Sequence, residues 1–402
     1  MKPRDGPQLD GKKTQEHVDR DYFGYRCAMI RGHRSLPHTR YCPFGNPLIP
    51  SATHPLAKYY EKYRNPHMFT RSSPMDGVLL RLAHASRTKP PDIWQAIRWA
   101  PRGMNLVAGT FGGELYLWKD STFNFDMKSL PSYADCERSP PIYHIEWTHD
   151  KRYLLSADDA GRIVLNNELY KEVWLLKNAH QGAIRSFSIS PTDECVAYGG
   201  AGGHVRLLNL KTGKKEGSMP GHRDEVRKIF WHHSSSLVVS GSKDESMKLW
   251  DTRIQRCIAN LLAHKGSVEV AAFVPVGNKI VSAGVDMKVK LWDIRTLKVI
   301  KTLEVPETSY DYLNRSRYRQ FSESNHITCI SFHPFCQNVC ACGTHSGDIL
   351  YYDLFSGTEL GRVRRAHRLA IWDVDYHPAG YVLATASKDK DLRFWSSKYG
   401  LM

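Results

Sequence analysis

Three stretches of the 402-residue chain carry a histidine, a hydroxyl residue, an aspartate and a tryptophan at one spacing: His222, Ser240, Asp244 and Trp250; His264, Ser282, Asp286 and Trp292; His367, Thr385, Asp389 and Trp395. Hydroxyl, imidazole and carboxylate are the groups of a hydrolytic triad, in which the ring takes the nucleophile's proton and the acid orients the ring. A nucleophile is needed once, whereas this set occurs three times. Such repetition fits a structural network in which Asp accepts from His, His from the hydroxyl, and the hydroxyl from the indole N–H, so that each buried polar group is satisfied. A second candidate chemistry is a thiolate metal site at Cys336, Cys340 and Cys342. Cys340 and Cys342 lie two apart on an expected strand and face the same way as core residues. Cys342 is therefore read as standing in for the repeated Ser or Thr, and neither a metal nor a cofactor is expected.

The elements that position these residues follow from the tryptophans. Leu249-Trp250-Asp251 recurs as Leu291-Trp292-Asp293. A strand-ending Trp-Asp with a period of roughly 40–45 residues marks a four-stranded propeller blade. The anchor position traces through Trp118, Asn166, Leu208, Trp250, Trp292, Tyr352 and Trp395, at intervals of 48, 42, 42, 42, 60 and 43 residues, so there are seven copies. Histidines at 180, 222, 264, 326 and 367 open five of them. Between the two marks come alternating apolar runs such as Ile184 to Ile189, Val226 to Trp231 and Ile371 to Tyr376, as expected of half-buried strands. Turn sequences follow them, such as His377-Pro378-Ala379-Gly380. One four-stranded sheet cannot bury both faces alone, but seven around an axis cover one another. The expected fold is all-β: a seven-bladed β-propeller over residues 92–397, preceded by a mostly irregular basic arm over 1–91. The 60-residue interval places an insertion loop at 304–324 between blades five and six. Its Tyr310, Tyr312, Arg315, Arg317, Tyr318, Arg319 and Phe321 suit an added contact with RNA or protein, or a mobile loop.

Charge and cysteine usage narrow the function classes. The net charge is +15, of which residues 1–91 carry +9. A basic arm ahead of a less charged domain fits a polyanion, an acidic protein or a solvated tail. The N-terminus has no apolar segment of signal-peptide form, and no run approaches the roughly 18 apolar residues of a membrane span. Nine cysteines without a paired framework fit a reducing, intracellular setting. In the arm, Tyr22, Phe23, Tyr25 and Arg26 precede Arg31, Arg34, Arg40 and Tyr41. Such a mixture suits single-stranded nucleic acid, since bases stack on rings and phosphates pair with cations, and it also suits protein interfaces. Leu56 to Arg64 has the pattern of a short helix stopped at Asn65-Pro66. There is no unique nucleophile and base set and no Gly-rich phosphate loop after a strand, so the chain is not expected to be an enzyme.

Three passages together resemble one WD-repeat family. They are Asp10-Gly11-Lys12-Lys13; Gly113 to Phe125, which ends in Thr122-Phe123-Asn124-Phe125; and Ala370 to Asp389 in the last repeat. Pro74-Met75 and the run into Lys89 also fit. The family is that of the WD-repeat subunit of the cleavage and polyadenylation specificity factor, the polyadenylation factor subunit family of pre-mRNA 3′-end processing. The repeated His/hydroxyl/Asp/Trp sets likewise resemble the structural tetrad of WD repeats, and the expected fold is a WD40 propeller.

The resemblance implies a nucleus-located, non-enzymatic scaffold of the mRNA cleavage and polyadenylation complex that contacts single-stranded pre-mRNA at the poly(A) signal region. It implies two protein partners, the large multi-propeller subunit and the CCCH zinc-finger subunit, and no membrane or small-molecule substrate. Lys12, Lys13 and Arg20 match family cations that reach RNA; Lys89 matches a basic position before the first blade, with Arg87 beside it; and Phe125 matches a ring stacked on a base pair. RNA recognition commonly uses splayed bases stacked in this way. Four residues depart from the pattern: Leu9 in place of an aromatic, Gln15 and Glu16 in place of cations, and Lys128 in place of an apolar neighbour of the stack. The competing reading is a generic WD-repeat adaptor in another assembly, such as ubiquitin ligation or ribosome biogenesis.

Overall fold

The computed structural model describes residues 80–85, 92–100, 105–119, 126–130, 139–275, 278–305, 325–334, 338–378, 380 and 382–397. Among them all regular structure is strand, and the strands form seven antiparallel four-stranded sheets. The chain is a seven-bladed β-propeller. Six blades use four consecutive strands; the fourth blade, for instance, runs Val226–Trp231, Leu237–Ser242, Ser246–Asp251 and Arg256–Leu262.

The seventh blade closes the ring. Ile371–Tyr376, Val382–Ser387 and Leu392–Ser397 supply three strands, and Leu80–Ala85 supplies the fourth by pairing antiparallel with Leu392–Ser397. That strand lies within the 1–91 stretch read as irregular arm, so the ring takes its closing strand from a segment placed outside it. Its six residues, Leu-Arg-Leu-Ala-His-Ala, have no copy of the repeat to mark them, because a closing strand pairs with a blade made elsewhere in the chain. At the other boundary, Glu304 ends the fourth strand of the fifth blade and Val305 is buried in the core. Both belong to that blade, while residues 306–324 lie outside the described residues.

Burial follows strand order. Second strands such as Leu237–Ser242, Lys279–Gly284 and Val382–Ser387 are covered on both faces by neighbouring blades. They are accordingly built from small and β-branched residues with almost no charge. Fourth strands lie on the outside, and Val299–Glu304 is exposed along most of its length. Every anchor falls on a third strand and is buried: Trp118, Asn166, Leu208, Trp250, Trp292, Tyr352 and Trp395. The period in the sequence thus reports the one strand whose large side chain packs between sheets.

First strands line the axis. In all seven, the register with the second strand shifts between the first and third residues, a bulge that re-aims the side chains near the start of the strand. Polar groups then tie neighbouring first strands together. Asp373 Oδ2 accepts from the Ile97 N–H at 3.0 Å and Asp375 Oδ2 from the Trp99 N–H at 2.8 Å, linking the seventh blade to the first. Ser186 and Ser188 accept in the same way from Ile229 and Trp231 at 3.1 and 3.0 Å. Ser331 accepts from Tyr376 at 3.2 Å.

Candidate functional site

The three chemical sets come first, because their geometry decides whether they are sites. In the fourth blade His222 Nδ1 lies 3.0 Å from Asp244 Oδ2, His222 Nε2 lies 2.7 Å from Ser240 Oγ, and the Trp250 indole N–H donates to Ser240 Oγ at 2.8 Å. The fifth blade repeats this through His264, Asp286, Ser282 and Trp292 at 2.8 Å for each contact. The seventh repeats it through His367, Asp389, Thr385 and Trp395 at 3.1, 2.7 and 2.9 Å. All three hydroxyls are fully buried. Burial holds the imidazoles of His222, His264 and His367 below their ordinary pKa despite the neighbouring aspartates. Burial also pushes against the Asp244 carboxylate, yet hydrogen bonds from Ser246, the Arg223 N–H and His222 bring it down to about 2. A neutral ring therefore donates to a charged carboxylate and accepts from the hydroxyl, which in turn accepts the indole proton. No substrate reaches these hydroxyls; the sets tie a connecting loop to the third strand of each blade.

In the third blade, where Leu208 is the anchor, Tyr198 occupies the register of Ser240. Its hydroxyl donates to the Ala179 carbonyl at 3.1 Å, and Arg206 donates to the same oxygen at 3.0 Å. In the sixth blade, Cys342 has that register and Tyr352 is the anchor. Cys340 and Cys342 are buried with their sulfurs 4.0 Å apart. Cys336 lies outside the described residues, among which no group of three ligand types is placed to hold a metal ion.

The RNA-contact residues expected from the sequence, Lys12, Lys13, Arg20, Arg87, Lys89 and Phe125, all lie outside the described residues, as do Leu9, Gln15, Glu16 and the helix pattern at 56–64. Lys128 is on the fourth strand of the first blade, Asp126–Leu130. The described strand ends nevertheless fix where these segments attach. The ring has one rim that carries His222, His264 and His367, where first strands begin, and an opposite rim, where first and third strands end. Leu80, at the far end of the arm, pairs with Ser397 on the opposite rim. Lys119 and Asp126, which flank residues 120–125, pair there too. Ala85 and Trp94, on either side of residues 86–91, lie at the histidine rim. The arm and the Phe125 segment therefore join one rim, and the Arg87/Lys89 segment joins the other.

One group of polar residues was not anticipated. The end of the central channel at the opposite rim forms a cavity of about 310 Å³ lined by all seven first strands. Arg98, His144, Glu146, Lys228 and Asp375 face it from one side. Arg98 donates to Asp373 Oδ2 at 2.8 Å and lies 3.2 Å from His144 Nε2. Burial raises the carboxyls of Glu146 and Asp375 to about 7 against the pull of nearby cations, and it lowers the Lys228 ammonium. The signal was present in the sequence: charges at alternate positions of otherwise apolar first strands, as in Ile371 to Tyr376. In an ordinary half-buried strand those positions meet solvent, whereas in a ring of first strands they meet one another.

Comparison with known proteins follows from this geometry. A profile described as "WD domain, G-beta repeat" matches residues 213–251, and one described as "Nucleolar protein 10-like, N-terminal domain" matches residues 256–402. Polyadenylation factor subunit 2 of Gibberella zeae is 26% identical over 331 residues, covering 80% of this chain and 53% of the relative. The protein of that name from Neurospora crassa is 27% identical, covering 81% and 50%, and that from Saccharomyces cerevisiae is 28% identical, covering 79% and 64%. The polyadenylation factor subunit 2 proteins are homologues of this chain. Their resemblance extends over some four fifths of its length, far more than one blade repeat would give. The chain spans about half the length of the Gibberella and Neurospora polyadenylation factor subunits. A chain of the solved structure "Crystal Structure of Mitotic Checkpoint Complex" superposes with a TM-score of 0.66, covering 79% of this chain and 95% of that one at 17% identity, and shows the shared propeller fold.

Proposed function

We propose that the chain is a non-enzymatic scaffold and RNA-contacting subunit of the nuclear mRNA cleavage and polyadenylation machinery. The observation that carries this reading is homology to polyadenylation factor subunit 2 across the propeller. The repeated His/hydroxyl/Asp sets support a scaffold, since all three are consumed by structure. The partners in this reading are the large multi-propeller subunit, the CCCH zinc-finger subunit and single-stranded pre-mRNA near the poly(A) signal. Lys12, Lys13, Arg20 and Phe125 make the RNA contact from the rim where Leu80 and the ends of residues 120–125 attach. Arg87 and Lys89 attach at the histidine rim, so an RNA reaching them as well would follow the outer wall of the ring.

Stacking on an aromatic ring contributes about 1–3 kcal/mol per base. Phe125→Ala is therefore expected to weaken RNA binding about tenfold, and Leu9, lacking a ring, gives less than the family's aromatic. Ultraviolet cross-linking of the purified chain to a poly(A)-signal RNA tests the site: the Lys12/Lys13/Phe125 triple alanine variant should lose most of the cross-link, and wild-type cross-linking would remove these residues from the interface. The match to the Nucleolar protein 10-like domain over residues 256–402 favours a second reading, an adaptor in another assembly. The two differ in the company the chain keeps in a nuclear extract.

A further inference from the structure

The cavity at the opposite rim contains one acidic group that the fold does not satisfy. Glu146 accepts a hydrogen bond from the Ile189 backbone N–H, but its Oε2 is buried with no partner. Buried polar atoms in this position carry an unmet desolvation cost unless something reaches them. The local charges do not cancel either. Arg98 is matched by Asp373 at 2.8 Å. That leaves one ammonium, Lys228, against two carboxyls, Glu146 and Asp375, facing the same space. Neutral His144, its ring pushed well below the usual imidazole range by burial, adds no positive charge. The cavity thus has room for one more cation.

Its shape limits which cation. The wall opposite the carboxyls is apolar, formed by Phe230, Val270, Ala272, Ile330 and Phe332. A bare metal ion would leave that wall uncovered, and the described residues offer no three-ligand group to hold one. Arginine and lysine have the matching form, a methylene stem that lies on apolar surface and a charged head that seeks acceptors. About 310 Å³ holds one such side chain but no folded segment with it.

We propose that this end of the central channel is a receptor for a single basic side chain, arginine or lysine, presented by a partner protein. The charged head meets Glu146 Oε2 and Asp375, and the stem lies along Phe230 and Phe332. The blade count, the buried tetrads and the RNA contacts play no part in this site, so it stands or fails apart from them.

Calorimetric titration of the full chain with propylguanidinium and butylammonium, which mimic the two side chains, tests it against butanol as the neutral control. One-to-one saturable uptake of either cation is expected, and whichever is taken up names the residue. Glu146→Gln should weaken that uptake about tenfold or more, since it removes a charge-assisted hydrogen bond. Ala272→Leu, which fills the apolar side without touching a charged group, should weaken it as well; circular dichroism melts check that both variants fold. No saturable uptake of either cation would overturn the proposal, as would equal uptake of butanol or unchanged binding in folded Glu146→Gln.

Discussion

Replacing one buried hydroxyl, Ser240→Ala, separates the structural reading of the tetrads from a catalytic one. Ser240 Oγ lies 2.8 Å from the Trp250 indole nitrogen and 2.7 Å from His222 Nε2, and it is fully buried. Alanine leaves both groups in place without a partner. Each unsatisfied buried group costs about 1–3 kcal/mol, so the variant should lose about 3 kcal/mol. For a domain of this size that is a fall in melting temperature of roughly 6–12 °C. Ser282→Ala should cost a similar amount in the fifth blade. Thr385→Ser, which keeps the hydroxyl between His367 and Trp395, should cost much less. Differential scanning calorimetry at neutral pH reads all three. Wild-type stability in Ser240→Ala would refute the network, and loss of a hydrolytic turnover at unchanged stability would make Ser240 a nucleophile after all.

Three further outcomes follow from the channel and the closing strand. Asp373→Asn removes the charge facing Arg98 and is expected to cost about 3–5 kcal/mol, the loss typical of an uncompensated buried ion, as read by urea denaturation. A chain starting at residue 86 lacks the strand that pairs with Leu392–Ser397 and should melt well below one starting at residue 80, with the Trp395 indole exposed to fluorescence quenchers. Glu146 titrates near 7 when folded against 4.5 as an ordinary glutamate, with Arg98, Lys228 and His149 drawing it down and Asp375 close by. The folded state therefore binds the extra proton between those values. The cost of the buried charge is fully present above pH 7 and gone below about pH 4.5. Glu146→Gln should accordingly be more stable than wild type at pH 8, by at most about 3 kcal/mol, and lose that advantage at pH 5; a constant difference across the range would contradict it.

How much of this was legible beforehand depended on whether a residue repeats. The anchors Trp118 to Trp395 recur because each blade needs one large side chain on its third strand, and that recurrence gave the blade count. The tetrads were legible for the same reason, as three copies at one spacing cannot all be catalytic. Leu80–Ala85 was hidden because its partner strand, Leu392–Ser397, lies at the other end of the sequence, and no local pattern announces a pairing across the whole chain. Arg98, Glu146, Lys228, Asp373 and Asp375 were hidden because alternation states only that a face differs from its neighbour. Whether that face meets water or an enclosed channel is decided by the ring. The residues expected to meet RNA fall outside the described strands, so their reading still rests on the Asp-Gly-Lys and Thr-Phe-Asn-Phe passages.

The most direct test of the central claim is affinity purification of the tagged chain from nuclear extract, with the bound proteins identified by mass spectrometry. The account predicts that the large multi-propeller subunit, the CCCH zinc-finger subunit and the 3′-end endonuclease of the polyadenylation machinery are recovered with it. Recovery of ribosome-assembly factors in their place, with no polyadenylation subunit present, would contradict it.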